Sequence, residues 1–465
     1  MRTLPALLVT LLVVLAGCST GFTGGPLGGG SQGPGAADEA TPTPTSASGG
    51  TDFDFADPDE DRLGWEDGYW HDDPVDVTVD DGLNESERRR VVAWTMARVE
   101  KLRGLEFESR VPVEVISREE YRKQRGEGAS DPNSTFNRWN DQVWEAILVV
   151  DEDASVSQTL DTVFGSSVQG YYSPSKEEIV VVSESETPTI DRTTLSHELV
   201  HALQDQHFGL GRSPETQDAQ LAEDGLVEGD ANYVERSYED RCAGSWSCLE
   251  RPERGGGGGG SFNQGLFTTV FAPYASGPDF VGDLKERGDW AAVNDAYEQY
   301  PTSMEQVIHP ERYPDDRPTR VSVPDRSGAA WERFDVDPEY DTVGEASIYA
   351  MFRANDQLGD HDRYDYAHPY STGWDGDRVV PYRNDGAYGY VWKSTWDSPA
   401  EAREFLDAYR DLLRSHDAES RGDGVYVIPD SDPYDDAFRV SRSGATVTVV
   451  NAPTTEQLDA VHSPR

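Results

Sequence analysis

The sequence predicts an α+β fold with a mixed sheet packed on a helix, then a mostly helical region, then a C-terminal α/β portion. Three segments rich in β-branched and aromatic residues predict strands, at 111–117, 144–150 and 170–182. The last contains a Ser-Pro turn and therefore predicts a hairpin. Elsewhere apolar residues recur three and four positions apart, which is the spacing of an amphipathic helix.

The helices are predicted from this spacing and from the residues that flank them. One follows Asn84, which can cap a helix, and another spans 191–208 between Asp191 and Gly209. A further helix is predicted at 216–241. Towards the end of the chain, "AREFLDAYRDLLRS" predicts a helix and "ATVTVVNA" a closing strand.

The charge of the chain is strongly acidic. The net charge is −47, from 87 acidic and 40 basic residues, and only five of the basic residues are lysine. Acid spread through folded segments indicates a surface adapted to high salt, where the Debye length is about 3 Å at 1 M and self-repulsion costs little. Because the chain has no basic patch to neutralise phosphates, nucleic acid is excluded as a partner.

The N-terminus predicts export and a lipid anchor. One arginine precedes an apolar run too short to cross a membrane, and the run ends in "LAGC", which resembles a lipobox. We therefore expect a signal peptide over residues 1–18 and a lipid on Cys18, at the extracellular face of the membrane. The remaining pair, Cys242 and Cys248, can then close a small disulfide loop, the alternative being two free buried thiols.

The stretch "HELVH" carries the strongest chemical signal. His197 and His201 are four residues apart, so both face the same side of a helix and both can reach one metal ion. Glu198 is placed to meet a water on that metal. This is the H-E-x-x-H pattern of zinc peptidases, in which the metal activates water and the glutamate takes its proton.

A third ligand is available in "LVEGDANYVE", where Glu228 lies on the next predicted helix. Gly225 and Gly229 flank it and permit close helix approach. Other ligands remain open at this point: Asp230, His207 and Asp224. Asp230 is also a candidate for orienting the distal N–H of a ligand histidine, with Asp205 a weaker one.

Cleavage of a peptide also needs a group that stabilises the oxyanion. Five side chains are candidates for this role, although each of them could instead have a purely structural role: Tyr233, Tyr274, His309, Tyr349 and Arg378.

"HELVHALQDQHF" followed by "LVEGDANYVE" resembles the gluzincin branch of the zinc metallopeptidases. More narrowly, it is similar to a family of exported peptidase-like proteins from bacteria and haloarchaea, over residues 111–405. The resemblance implies a zincin-like fold, with His197, His201 and Glu228 as Zn²⁺ ligands and Glu198 as the general base. It also implies that "EEIVVV" is the sheet edge, where an extended peptide can add as a strand.

These expectations divide the chain into five parts: a signal peptide (1–18), a disordered tether (19–82), a zincin-like metal-binding domain (83–242), a glycine-rich insertion (243–265) and a C-terminal portion that completes the cleft (266–465). The resulting hypothesis is a lipid-anchored surface metallopeptidase acting on peptides or proteins. The alternatives are a surface lipoprotein that binds zinc or peptides without cleaving them, and a surface-layer or adhesion protein.

Overall fold

A computed structural model describes residues 60–464 except 75, 129–130, 165–167, 186 and 252–262. The predicted signal peptide, Cys18, most of the tether and residues 252–262 of the glycine-rich insertion lie outside the described residues. Within the described ranges, no helix is both long and apolar enough to cross a membrane.

The first described residues form a small hairpin that packs on a helix: β1 (Trp65–Glu66), β2 (Tyr69–Trp70) and α1 (Glu85–Arg103). The Gly64 N–H donates to Glu100 Oε2 over 2.7 Å, and Trp94 Nε1 donates to the Asp73 carbonyl over 3.0 Å. The prediction that the disordered tether reaches residue 82 is therefore wrong for the described residues 60–74 and 76–82. The tryptophans and the buried hydrogen-bonding groups of this stretch pack it against α1. Its acidic composition did not indicate this packing.

Helix α1 is capped by Asn84, as predicted. The Asn84 side chain accepts from the Glu87 N–H over 3.1 Å, and the Glu87 side chain accepts from the Asn84 N–H over 2.9 Å. This reciprocal pair satisfies two backbone donors that a helix terminus leaves free.

The next elements build a three-stranded sheet with helices in its crossover: β3 (Val113–Ile116), α2 (Arg118–Gly128), α3 (Thr135–Ala146), α4 (Val156–Phe164), β4 (Gly170–Ser173) and β5 (Glu178–Val182). The strand order is β3-β5-β4, with β5 parallel to β3 and antiparallel to β4. The predicted hairpin is confirmed. The prediction that "EEIVVV" is the sheet edge is wrong, because β5 is the central strand and its buried valines pack on both faces.

The predicted strand at 144–150 is also wrong. Helix α3 continues to Ala146, and residues 147–150 form a buried irregular turn. Buried Trp139, Val143 and Ala146 are four and three residues apart, so a helical period runs through the start of the apolar stretch.

Four helices follow: α5 (Arg192–Phe208), α6 (Gln217–Gly244), α7 (Gln264–Glu298) and α8 (Met304–Ile308). The disulfide predicted between Cys242 and Cys248 is confirmed, with a Cα–Cα distance of 5.6 Å. Its loop rests on Arg98 of α1, whose Nη2 donates to the Ser247 carbonyl over 2.9 Å. The buried guanidinium therefore joins α1 to the end of α6.

Helices α6 and α7 cross with almost no space between their backbones. A methyl group added to Gly229 would overlap the backbone of Gly277, and one added to Gly277 would overlap that of Gly225. Only glycine permits this approach. Gly225, Gly229 and Gly277 therefore determine how closely α6 and α7 approach, and so which of their neighbouring side chains come into contact.

The C-terminal portion is built on an antiparallel sheet: β6 (Glu332–Arg333), α9 (Gly344–Ala354), β7 (Trp374–Asn384), β8 (Ala387–Trp396), α10 (Pro399–Ser415), β9 (Glu419–Gly422), β10 (Val425–Val427), β11 (Ala437–Ser443), β12 (Thr446–Ala452) and α11 (Leu458–Val461). Its seven strands have the order β6-β7-β8-β12-β11-β10-β9. Both the predicted helix α10 and the predicted last strand β12 are confirmed, and the fold is α+β.

One buried cluster of apolar side chains joins this sheet to the preceding helices. It includes Val143 of α3, Leu226 of α6 and Phe280 of α7, together with Trp392 of β8 and Phe405 of α10. The C-terminal portion therefore packs directly on the region that was predicted to bind metal.

Two buried carboxylates accept hydrogen bonds in the C-terminal portion, and the first of them connects it to α6. Asp341 Oδ1 accepts from the Gln217 N–H at the start of α6 over 2.8 Å. Asp377 of β7 accepts from the Val343 N–H over 3.0 Å and from Trp392 Nε1 over 3.3 Å. Burial raises the pKa of each of these two carboxyl groups to about 7.

We expect Asp377→Asn to reduce the pH dependence of folding stability. A carboxyl group whose pKa rises on folding adds stability below its unfolded pKa of about 3.9, and that stability is lost as the pH rises towards 7. Denaturant unfolding of both proteins across this window should show that the free energy of unfolding of the wild type falls more steeply with pH, by up to about 1.4 kcal/mol per pH unit. Equal slopes would contradict this assignment.

Candidate metal centre

Helix α5 buries several polar side chains, among them those of His197, Glu198 and His201. The helix is capped by Asp191, whose side chain accepts from the Thr193 N–H over 2.9 Å, as its sequence predicts. His197, Glu198 and His201 are at most 1% exposed, and the two imidazole rings lie 4.7 Å apart between centroids. Their spacing of one helical turn therefore brings both rings to one point inside the protein.

Helix α6 brings a carboxylate to the same point. Glu228 Oε2 lies 3.1 Å from His197 Nε2 and 3.5 Å from His201 Nε2, and the residue is 2% exposed. The other ligand candidates point elsewhere and meet different partners: His207 meets the Glu106 carbonyl, Asp224 meets Gln220, and Asp230 meets Arg103. The structure thus brings His197, His201 and Glu228 together.

The three side chains fit a zinc ion. Four-coordinate zinc with bonds of 2.0–2.1 Å places its ligand atoms about 3.4 Å apart, close to the two distances from Glu228. Two buried atoms at the site, His201 Nε2 and Glu198 Oε1, have no hydrogen-bond partner among the described residues. Two imidazole nitrogens and one carboxylate form a set of donors that zinc prefers, and His201 Nε2 is left available to it.

The electrostatics of the site keep Glu228 ionised. Burial by itself would raise the pKa of Glu228, but the imidazoles of His201 and His197 outweigh it and lower this pKa to about 2. Burial would likewise lower the pKa of His197, yet Glu228 and Glu235 raise it to about 10. A metal ion that binds here must therefore displace a proton, so its affinity increases with pH.

Glu198 is held in a different environment. Burial raises the pKa of Glu198 to about 7. The Tyr172 N–H of β4 donates to Glu198 Oε2 over 2.7 Å, whereas Oε1 has no hydrogen-bond partner in the part of the chain that the structure describes. A carboxyl group with a pKa near neutrality can both accept and return a proton at neutral pH.

The distal nitrogens of the histidines are held by residues that the sequence reasoning missed. His197 Nδ1 lies 3.0 Å from Glu235 Oε2, and His201 Nδ1 lies 2.9 Å from Gln204 Oε1. Gln204 is fixed in turn, because its Nε2 donates to the Val227 carbonyl over 2.9 Å. Each ring is therefore oriented through its second nitrogen.

The prediction that Asp230 orients a histidine is wrong. Arg103 Nε donates to Asp230 over 3.0 Å, and the Tyr297 hydroxyl donates to it over 2.9 Å, so Asp230 anchors α6 to α1 and α7. Two residues after Glu228, a helix has turned about 200° and faces away from the site. Seven residues after Glu228 it faces the site again, and this spacing was the signal for Glu235. Asp205, the weaker candidate, accepts from the Tyr172 hydroxyl over 2.9 Å.

Among the five candidates for the oxyanion, Tyr274 is the one that the structure places at the centre. Its hydroxyl donates to Glu228 Oε1 over 2.9 Å. The others have structural partners: His309 contacts Glu345, Tyr349 donates to the Asp362 carbonyl, Arg378 stacks on Tyr340, and Tyr233 packs against Trp290.

Comparison with known proteins gives one family match. Residues 332–462 match a domain of unknown function, DUF8575. No curated protein and no solved structure gives a significant match. The matched part contains the seven-stranded sheet and lies outside the stretch that carries His197, His201 and Glu228.

We expect Glu235→Ala to weaken zinc binding by about 10- to 100-fold, because His197 loses the carboxylate that orients it. Isothermal titration in high salt would measure the dissociation constant. Glu239→Ala is a matched control, since Glu239 lies one turn further along α6, is 26% exposed against 27% for Glu235, and pairs with Arg192 instead. Equal losses in the two variants would rule out the orienting role.

Proposed function

We propose that this chain is a zinc-dependent metallopeptidase that hydrolyses peptide bonds at the cell surface. The observation that carries the proposal is the buried group of His197, His201 and Glu228 with the unpartnered Oε1 of Glu198 beside it. The gluzincin-like pair of motifs predicts the same four residues in the same roles.

In this proposal His197, His201 and Glu228 hold the zinc ion. A bound zinc would act as a Lewis acid and lower the pKa of water to about 7. Because Tyr172 occupies Glu198 Oε2, Oε1 is the atom that accepts the proton of the attacking water. The same atom then returns the proton to the nitrogen of the leaving amine.

The neighbouring sheet edge supports an extended substrate. Strand β4 is an edge strand, and the Tyr172 N–H within it points at Glu198 and away from β5. An extended peptide that adds along an edge strand gains main-chain hydrogen bonds. We infer that β4, rather than β5, is the strand along which a peptide would lie next to Glu198.

The enclosure of the centre favours a second candidate function. All four side chains are at most 2% exposed, so a substrate must displace part of their cover before it reaches Glu198. A surface protein that binds zinc without cleaving peptides would have such a centre. Zinc content together with turnover separates the two functions.

We expect Glu198→Gln to lose peptide cleavage by about 10²- to 10⁴-fold in kcat/KM, since the general base is removed, and to retain zinc. The chain from Ser19 onward would be incubated in high salt with a diverse peptide mixture, and its products read by mass spectrometry. Cleavage by both proteins would exclude Glu198 as the base. Bound zinc with cleavage by neither would establish the non-catalytic alternative.

We also propose that the protein is anchored in the membrane by a lipid on Cys18. The apolar run that ends in "LAGC" supports this proposal.

We expect Cys18→Ser to move the protein from the membrane fraction to the soluble or unprocessed pool, with Ser19→Ala as the control. Membrane association that survives Cys18→Ser would contradict the anchor.

A further inference from the structure

The two carboxylate oxygens of Glu228 have different neighbours. Oε2 faces both histidines, at 3.1 Å from His197 Nε2 and 3.5 Å from His201 Nε2. Oε1 makes a different contact, because it accepts a hydrogen bond from the Tyr274 hydroxyl over 2.9 Å. The carboxylate is therefore held in one orientation, with one oxygen on each side.

The backbone geometry of α7 delivers the Tyr274 hydroxyl to this position. Tyr274 lies three residues before Gly277, and Glu228 lies one residue before Gly229, so both side chains leave the helices next to their closest approach. The absence of side chains at the crossing brings a hydroxyl on one helix within hydrogen-bond distance of a carboxylate on the other.

Aromatic neighbours fix the ring of Tyr274. Its ring stacks on that of Phe271 with 5.8 Å between centroids, and Phe271 in turn contacts Tyr364 at 5.0 Å. Stacked rings restrict the side-chain torsions of Tyr274. These aromatic contacts therefore hold the Tyr274 hydroxyl next to Glu228 independently of the hydrogen bond between them.

A carboxylate can bind a metal through one oxygen or through both. A hydrogen bond to one oxygen engages a lone pair that would otherwise be available to the metal, and it also resists rotation of the group. We propose that Tyr274 is a positioning residue that commits Glu228 Oε1 to a hydrogen bond and leaves Oε2 as the one oxygen for the metal. The inference rests on the zinc centre proposed above.

This arrangement has a consequence for the reaction. A three-ligand centre needs an open position for water. If Glu228 turned so that both oxygens faced the histidines, its second oxygen would compete with water for that position. Tyr274 thus acts on the chemistry through Glu228, without needing to touch the substrate.

Tyr274→Phe tests the proposal, because it removes the hydroxyl and keeps the stacked ring. We expect zinc affinity to fall about 10- to 100-fold. We also expect the visible absorption of the Co²⁺-substituted protein to lose intensity, because a second carboxylate oxygen raises the coordination number. Tyr233→Phe is the matched control on the facing helix, since the Tyr233 ring packs against Trp290 away from the centre. It should leave both measurements unchanged.

The outcomes separate this inference from the proposed function. A wild-type protein that binds neither metal would overturn both. Wild-type binding together with an unchanged affinity and Co²⁺ spectrum in Tyr274→Phe would overturn the role of Tyr274 alone. A change of equal size in Tyr233→Phe would also overturn it, because the effect would then come from the packing of the two helices. Near-ultraviolet circular dichroism of each variant verifies that the aromatic packing is retained.

Discussion

The close crossing of α6 and α7 is the constraint on which the candidate centre depends. Because Gly229 packs against the backbone of Gly277, no side chain separates the helices. Glu228 then lies between the histidines of α5 on one side and Tyr274 of α7 on the other. A bulkier residue at the crossing would force the helices apart, and the Glu228 carboxylate would move with its helix.

Buried charge is the other organising feature of the fold. The surface of a chain with net charge −47 can be acidic at little cost in concentrated salt, but an interior carboxylate needs hydrogen-bond donors wherever it lies. Asp341 and Asp377 obtain theirs from backbone N–H groups at the starts of α6 and α9. Through Asp341, the part of the chain that matches DUF8575 is hydrogen-bonded to the helix that carries Glu228, although no residue of that part belongs to the group of His197, His201 and Glu228.

Much of the local structure could be predicted because its cause lies within a few residues. The cap at Asn84, the hairpin at 170–182 and the helix from Asp191 to Gly209 all depend on near neighbours in sequence. The errors have a different origin. The apolar run at 144–150 has the composition of a strand, but the buried face of α3 extends into it. Similarly, the buried residues of β5 indicate a strand without indicating which strands flank it.

The same division applies to the centre. The sequence by itself determined that His197 and His201 share one face of a helix, with Glu198 on the same turn, because a spacing of four residues places two side chains on one face whatever surrounds them. It also identified Glu228 as a carboxylate on the next helix. Only the tertiary structure decided that Glu235 and Gln204, and not Asp230, hold the rings. These contacts depend on the rotation of α6 about its axis and on its distance from α5. Both are set by packing between residues far apart in the chain.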